Sequence, residues 1–197
     1  MEEKTFAFET GELSLAFKIR CPALGDTIIA KSVFDAVVKL APNCKIDVFC
    51  FSEQGRKYVQ AFYGYSKNLN LIITYQKFYI ENFQKYDAAL SVWHSLLIEF
   101  INADRLKSSA PALLQSLQGV NEYNRKFFAT NEAVVFLRNI TRAHILGINR
   151  YTCLSCGGAL PIQDNHVEIS LSAEGEWAFQ ELGLSKKYIT IGSNLPR

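Results

Sequence analysis

The side chains best suited to chemistry sit in one short stretch, Cys21-Pro22-Ala23-Leu24-Gly25-Asp26-Thr27. Asp26 is a short carboxylate able to take a proton from a hydroxyl held beside it. Gly25, just before it, lets backbone approach a ligand closely. Asp26 and Thr27 also have a plainer use, because both are good helix N-caps and the helix dipole favours an acid near the N-terminus. The stretch is not a dinucleotide fingerprint, since it lacks GxGxxG, nor a P-loop, since it lacks GK[ST]. Trp93 and His94 form a second candidate group. They can stack on and hydrogen-bond a sugar, or simply pack half-buried at a strand end.

Residues 121–150 hold Arg125, Lys126, Arg138, Arg142 and Arg150 against Glu122 and Glu132, a net charge of +3. Guanidinium groups grip phosphate or carboxylate with two parallel bonds, which suits an anionic acceptor or an anionic membrane face. A solvated helix face is the commoner meaning of such a run. Cys153-x-x-Cys156 invites a zinc or redox reading. Zinc needs four ligands, and no second pair stands at metal spacing. A redox pair should open a helix after a strand, whereas Gly157-Gly158 predicts a loop, so the pair reads as incidental. His144 and His166 are lone histidines with structural roles as the default.

These groups need a scaffold, and the chain alternates between two periods. In residues 13–20, Leu13, Leu15, Phe17 and Ile19 share one face, which predicts a strand. Ile29, Val33, Val37 and Leu40 recur at helical spacing over 27–40. KIDVFCF (45–51) is a second strand, so the three make a βαβ unit with parallel strands and a right-handed crossover. A helix over 53–63 and a strand over 68–75 follow. Residues 77–85 read as an aromatic-rich connector or short helix. DAALSV (87–92) is a strand, and WHSLLIEFINA after it fits a helix. Residues 104–120 are ambiguous, interrupted by Pro111 and Gly119. A long helix is expected over 131–146, a loop over 151–165, a helix over 172–182 and a last strand in KYITIGS. The expected class is α/β, a mainly parallel sheet with helices on both faces. In such a sheet ligands sit beyond the carboxyl ends of the strands, so the turn after the first strand is the first place to look.

Composition excludes several classes. At 197 residues, 49% hydrophobic and 20% charged, the chain is ordinary for a globular protein. A chain of this length buries roughly 70% of its unfolded surface and needs no staple. The net charge of +2 argues against a nucleic-acid binder over the whole surface while leaving room for a local basic patch, and no nucleic-acid partner is expected. Aromatic residues make up 13%, so the core or a ligand face is rich in rings. The acidic first twelve residues do not form the charged region of a signal peptide, and no apolar run reaches a spanning length. Five cysteines, an odd number, read as reduced thiols in the cytoplasm.

A first strand ending in a basic residue, then LGDTIIAKSVFDAVVKLAPNCKIDVF, resembles the opening of the family 9 glycosyltransferases, the heptosyltransferases of lipopolysaccharide core assembly. KYDAALSVWHSLL is similar to that family's "yDlvIDlqg" strand and turn. GVNEYNRKFFATNEAVVFLRNITRAHILGI resembles its "yNrk…hav-r…lgi" segment. LSAEGEWAFQELGLSKKYITIGSN resembles the helix and strand that open its second domain. The resemblance spans nearly the whole chain but only the first of that family's two domains.

It implies a Rossmann-like domain, the N-terminal half of a GT-B fold. Residues 1–165 would be the acceptor-binding domain. Residues 166–197 would be a linker, helix and first strand leading into a donor-binding domain beyond the chain, so that this chain alone transfers no sugar. The implied activity moves a sugar, heptose in that family, with inversion from an ADP-heptose-like nucleotide-sugar to a lipopolysaccharide core or related glycan acceptor. It would take place in the cytoplasm or at the inner-membrane surface. Asp26 would be the catalytic base. Gly25, Thr27, Trp93, His94, Asn124, Arg125, Lys126 and Arg138 would line the acceptor. No cofactor and no metal are expected. The turn Ser91–Ile98 departs from the family pattern, lacking its acid, glycine and following basic residue. That departure puts the usual phosphorylated or Kdo-type acceptor in question. The reading from another class is a non-catalytic α/β binding or interaction module.

Overall fold

A computed structural model describes residues 12–21, 23–75, 85–93, 95–127 and 150–162. The alternation in LSLAFKI becomes strand β1 (Leu13–Ile19). Helix α1 (Leu24–Leu40) and strand β2 (Cys44–Cys50) complete the first βαβ unit, and β1 and β2 run parallel in unbroken register from Leu13↔Cys44 to Ile19↔Cys50. Helix α2 (Glu53–Tyr63) opens on Ser52, whose hydroxyl accepts from the Gly55 amide, and leads to strand β3 (Leu69–Thr74). Strand β4 (Ala88–Val92) pairs with β1 on its other side, again parallel. The expectation of a mainly parallel α/β sheet is met.

One element differs in kind from its expectation. WHSLLIEFINA forms no helix; it holds strand β5 (Leu96–Ile101), antiparallel to β4 across a tight turn in which the Trp93 amide donates to Ser95 O at 3.1 Å. An unbroken apolar run such as Leu96-Leu97-Ile98 has no period of its own, so sequence cannot tell strand from buried helix there. The sheet order is therefore β3-β2-β1-β4-β5. After β5 come α3 (Ala103–Ser109) and α4 (Pro111–Phe127). Pro111 begins α4, at the helix position where a missing amide proton costs nothing. Residues 151–165 are not wholly loop, because a short helix α5 (Arg150–Leu154) precedes the turn through Gly157 and Gly158.

The helices pack on one face of the sheet. Leu13, Leu15, Phe17 and Ile19 share a core with Val33, Phe34 and Val37 of α1, Val59 and Tyr63 of α2, Leu113 and Leu117 of α4, and Leu154 of α5. Phe34 meets Phe17 and Tyr63 edge-on, at ring separations of 5.9 and 5.0 Å. The other face holds Ala16, Phe49, Tyr86 and Ala89, with Lys18 and Asp47 buried on it. The described helices all serve the first face. The helices expected over 131–146 and 172–182, the strand in KYITIGS, most of the 77–85 connector and the second domain segment 166–197 lie outside the described residues.

Candidate functional site

Strand order fixes where a ligand can sit. From β1 the chain steps to β2 and β3 on one side, then returns to lay β4 against β1 on the other. The two directions diverge between β1 and β4, and the carboxyl ends of such a pair open a crevice. The segment after β1 runs through Arg20 and Cys21 into α1, and the segment after β4 is Trp93. Arg20 is pinned there, its amide donating to Val92 O at 3.0 Å.

Helix α1 starts earlier than its apolar period suggests. Its cap is Ala23, which makes no side-chain cap bond, so Asp26 and Thr27 stand inside the helix and neither is the N-cap. Asp26 occupies the first turn, where the helix dipole favours a negative charge. Thr27 is fully buried, its hydroxyl donates to Ala23 O at 3.1 Å, and its own carbonyl accepts from Tyr63 Oη at 2.9 Å. It thus faces the core and secures the helix start instead of facing a ligand. A side chain added at Gly25 would meet nothing within 4 Å. Packing therefore does not demand glycine there, although glycine in a helix costs roughly 1 kcal/mol against alanine. Its effect is to leave bare backbone facing open space beside Asp26.

The partner of Asp26 comes from far along the chain. Arg150, the first residue of α5, forms an ion pair with the Asp26 carboxylate through Nη1 and donates through Nη2 to Trp93 O at 2.6 Å. One guanidinium thus ties the first turn of α1 to the turn after β4. The Arg20 guanidinium lies 5.9 Å from the centre of the Trp93 ring. Cys21 is half-buried beside them, and its thiol is pushed above the ordinary value by burial first and by the Asp26 carboxylate second. A thiol so placed is held protonated and is a weak nucleophile.

The remaining candidates separate. Trp93 is half-buried at the site. His94 and Arg138 lie outside the described residues. Asn124 is buried on the last turns of α4 and donates to Leu96 O at 3.0 Å, so it braces the start of β5. Arg125 and Lys126, next on the same helix, are exposed. Arg150 and Arg20 are the site residues that sequence did not place there, and Cys21 stood in the candidate stretch without a role of its own. Arg20 had a signal in its place at the end of the first strand. Arg150 had only its membership of a basic stretch.

Cys153 and Cys156 are buried, and burial pushes the Cys156 thiol up to about 12. Among the described residues no group of three or more His, Cys, Asp or Glu side chains is placed to hold a metal ion. Among the same residues no helix is long and apolar enough to cross a membrane. The chain matches no protein-family model, no curated protein and no solved structure.

Proposed function

We propose that this chain is the acceptor-binding part of an inverting glycosyltransferase that moves a sugar, heptose by the sequence resemblance, from a nucleotide-sugar to a lipopolysaccharide-core or related glycan. One observation carries the reading: Asp26 stands at the carboxyl edge between β1 and β4, with bare Gly25 backbone before it and the Trp93 turn across from it. A sugar hydroxyl delivered to that crevice would meet a carboxylate and an aromatic side chain, the two groups that carbohydrate recognition and deprotonation need.

In the reaction Asp26 takes the proton from the acceptor hydroxyl. The freed oxygen bonds to the anomeric carbon of the donor sugar from the face opposite the diphosphate. The sugar–phosphate C–O bond breaks, and its electron pair leaves on the diphosphate. A second domain would hold the nucleotide, on cationic groups or a helix N-terminus. The acceptor, a lipid-linked or core glycan, would reach the site from the cytoplasmic side of the inner membrane.

The test is Asp26→Asn in a form of the protein that carries a donor-binding domain. Single-turnover transfer from ADP-heptose should fall by roughly 10²–10⁴-fold, the range that general-base removal gives. Asp26 is not the helix cap, so the melting temperature should reflect the loss of the Arg150 pair and of a first-turn negative charge. A near-normal rate rules out the base. A second reading, the non-catalytic binding module, is favoured by the ion pair itself, since a carboxylate tied to Arg150 serves to join α1 to α5. That reading expects no transfer from any nucleotide-sugar and a loss of stability in the same variant.

A further inference from the structure

Asp26 is tied down at one oxygen in this structure. The Arg150 guanidinium engages Oδ1 of its carboxylate and competes with any incoming hydroxyl for that oxygen. Use of Oδ1 to take the proton therefore requires that Arg150 loosen its hold. We propose that Arg150 is a positioning residue that latches Asp26 against the Trp93 turn, and that an anionic group on the ligand draws the latch away. The proposal rests on the reading of Asp26 as a base and adds the class of ligand that would free it.

Three features of the site support the latch. Arg150 reaches across the crevice from the first residue of α5, and two of its nitrogens hold two different elements. Its third, Nε, is buried with no hydrogen-bond acceptor among the described residues. An unmet guanidinium donor is costly, and an anion's oxygen is the partner it fits best. Arg20 adds a second guanidinium at the Trp93 ring, so two cations meet at Trp93, one at its ring and one at its carbonyl. An anion arriving at the Nε edge shares the charge of Arg150 and weakens its grip on Asp26. The Trp93 carbonyl still holds the guanidinium, which keeps it at the site to orient the anion. Phosphate monoesters and sugar carboxylates have this chemistry, whereas a neutral sugar does not.

Cys21 is a built-in reporter. The other four cysteines are buried, so Cys21 is the thiol open to a reagent. The Asp26 charge already disfavours its thiolate, and Arg150 offsets that charge. When the latch leaves, the bare carboxylate should suppress the thiolate further. A thiol pKa raised by about one lowers the reactive fraction about tenfold.

The experiment is the alkylation rate of Cys21 by iodoacetamide, a neutral reagent, with inorganic phosphate added at constant ionic strength. In the wild-type chain phosphate should slow labelling about three- to tenfold and saturate. Arg150→Gln should label at the slow rate from the start and ignore phosphate, while Arg150→Lys should recover part of the response. Asp26→Asn should label fast with or without phosphate, which separates the latch from a direct effect of phosphate on the thiol. No sugar is transferred in this assay, so failure of the glycosyltransferase reading leaves its outcome intact. Wild-type labelling indifferent to phosphate overturns the proposal. So does an equal slowing in Arg150→Gln or Asp26→Asn, the mark of an adventitious ion only.

Discussion

The two faces of the sheet are built on opposite principles. The face toward the helices is apolar throughout: Leu15, Val33, Phe34 and Val48 are completely excluded from solvent. The other face buries charge. Lys18 is 2% exposed and Asp47 1%. Each is held by specific partners. Lys18 Nζ reaches Glu99 at 3.4 Å and lies 5.6 Å from the Tyr75 ring centre. Asp47 accepts from Tyr86 Oη at 2.9 Å and Asn70 Nδ2 at 2.8 Å. The first face stabilises by area removed from water, which any well-packed apolar set supplies. The second gains little net energy from its Lys18–Glu99 ion pair, because desolvation offsets most of the attraction. It fixes which groups meet.

Breaking the first face should have the larger effect. Phe34→Ala removes a ring from between Phe17 and Tyr63 and leaves a cavity in the centre of the core. Unfolding in urea should show a loss of about 3–5 kcal/mol. A loss under about 1 kcal/mol would mean that this face tolerates collapse and that the contrast between faces is false.

The second face offers a smaller and more telling effect. Lys18→Met keeps the volume and removes the charge, while Glu99, on the more open side of the pair, can rehydrate. At neutral pH the stability should change by no more than about 1 kcal/mol. The pH dependence carries the information. Burial, opposed by Glu99 and reinforced by Arg20, holds Lys18 below the ordinary lysine value of 10.5. The native state therefore sheds this proton before the unfolded chain does, and its stability rises with pH between the lowered value and 10.5. Wild type should gain on Lys18→Met across that window. Parallel stability curves for the two proteins would show that Lys18 keeps a solvated lysine's behaviour.

The same contrast explains what could be read from sequence. Leu13, Leu15, Phe17 and Ile19 at period two, and Val33 and Val37 at helical spacing, point to the apolar face without a structure, and all six are in its core. The βαβ alternation likewise predicts parallel pairing, and the place of Asp26 after the first strand predicts the edge where the crevice opens. What sequence missed was non-local or lacked a period. Strand β5 hides in an apolar run that either element could own. The start of α1 lies at Ala23, which carries no capping side chain to mark it. Arg150 meets Asp26 from 124 residues away, and nothing in the spacing of the two announces the pair. Thr27 has the composition of a site residue but turns inward, since the fourth residue of a helix follows the core stripe.

The central claim is that a carbohydrate acceptor lodges between the ends of β1 and β4. Amide chemical-shift mapping of the isotope-labelled chain tests this without any donor. A core-type oligosaccharide carrying an anionic sugar would be titrated to saturation. Shifts should concentrate on residues 20–27 and on Trp93, and the same glycan stripped of its anionic groups should bind more weakly. Saturating glycan that leaves those amides unmoved, or that shifts only the β3 edge and the exposed face of α2, would contradict the claim.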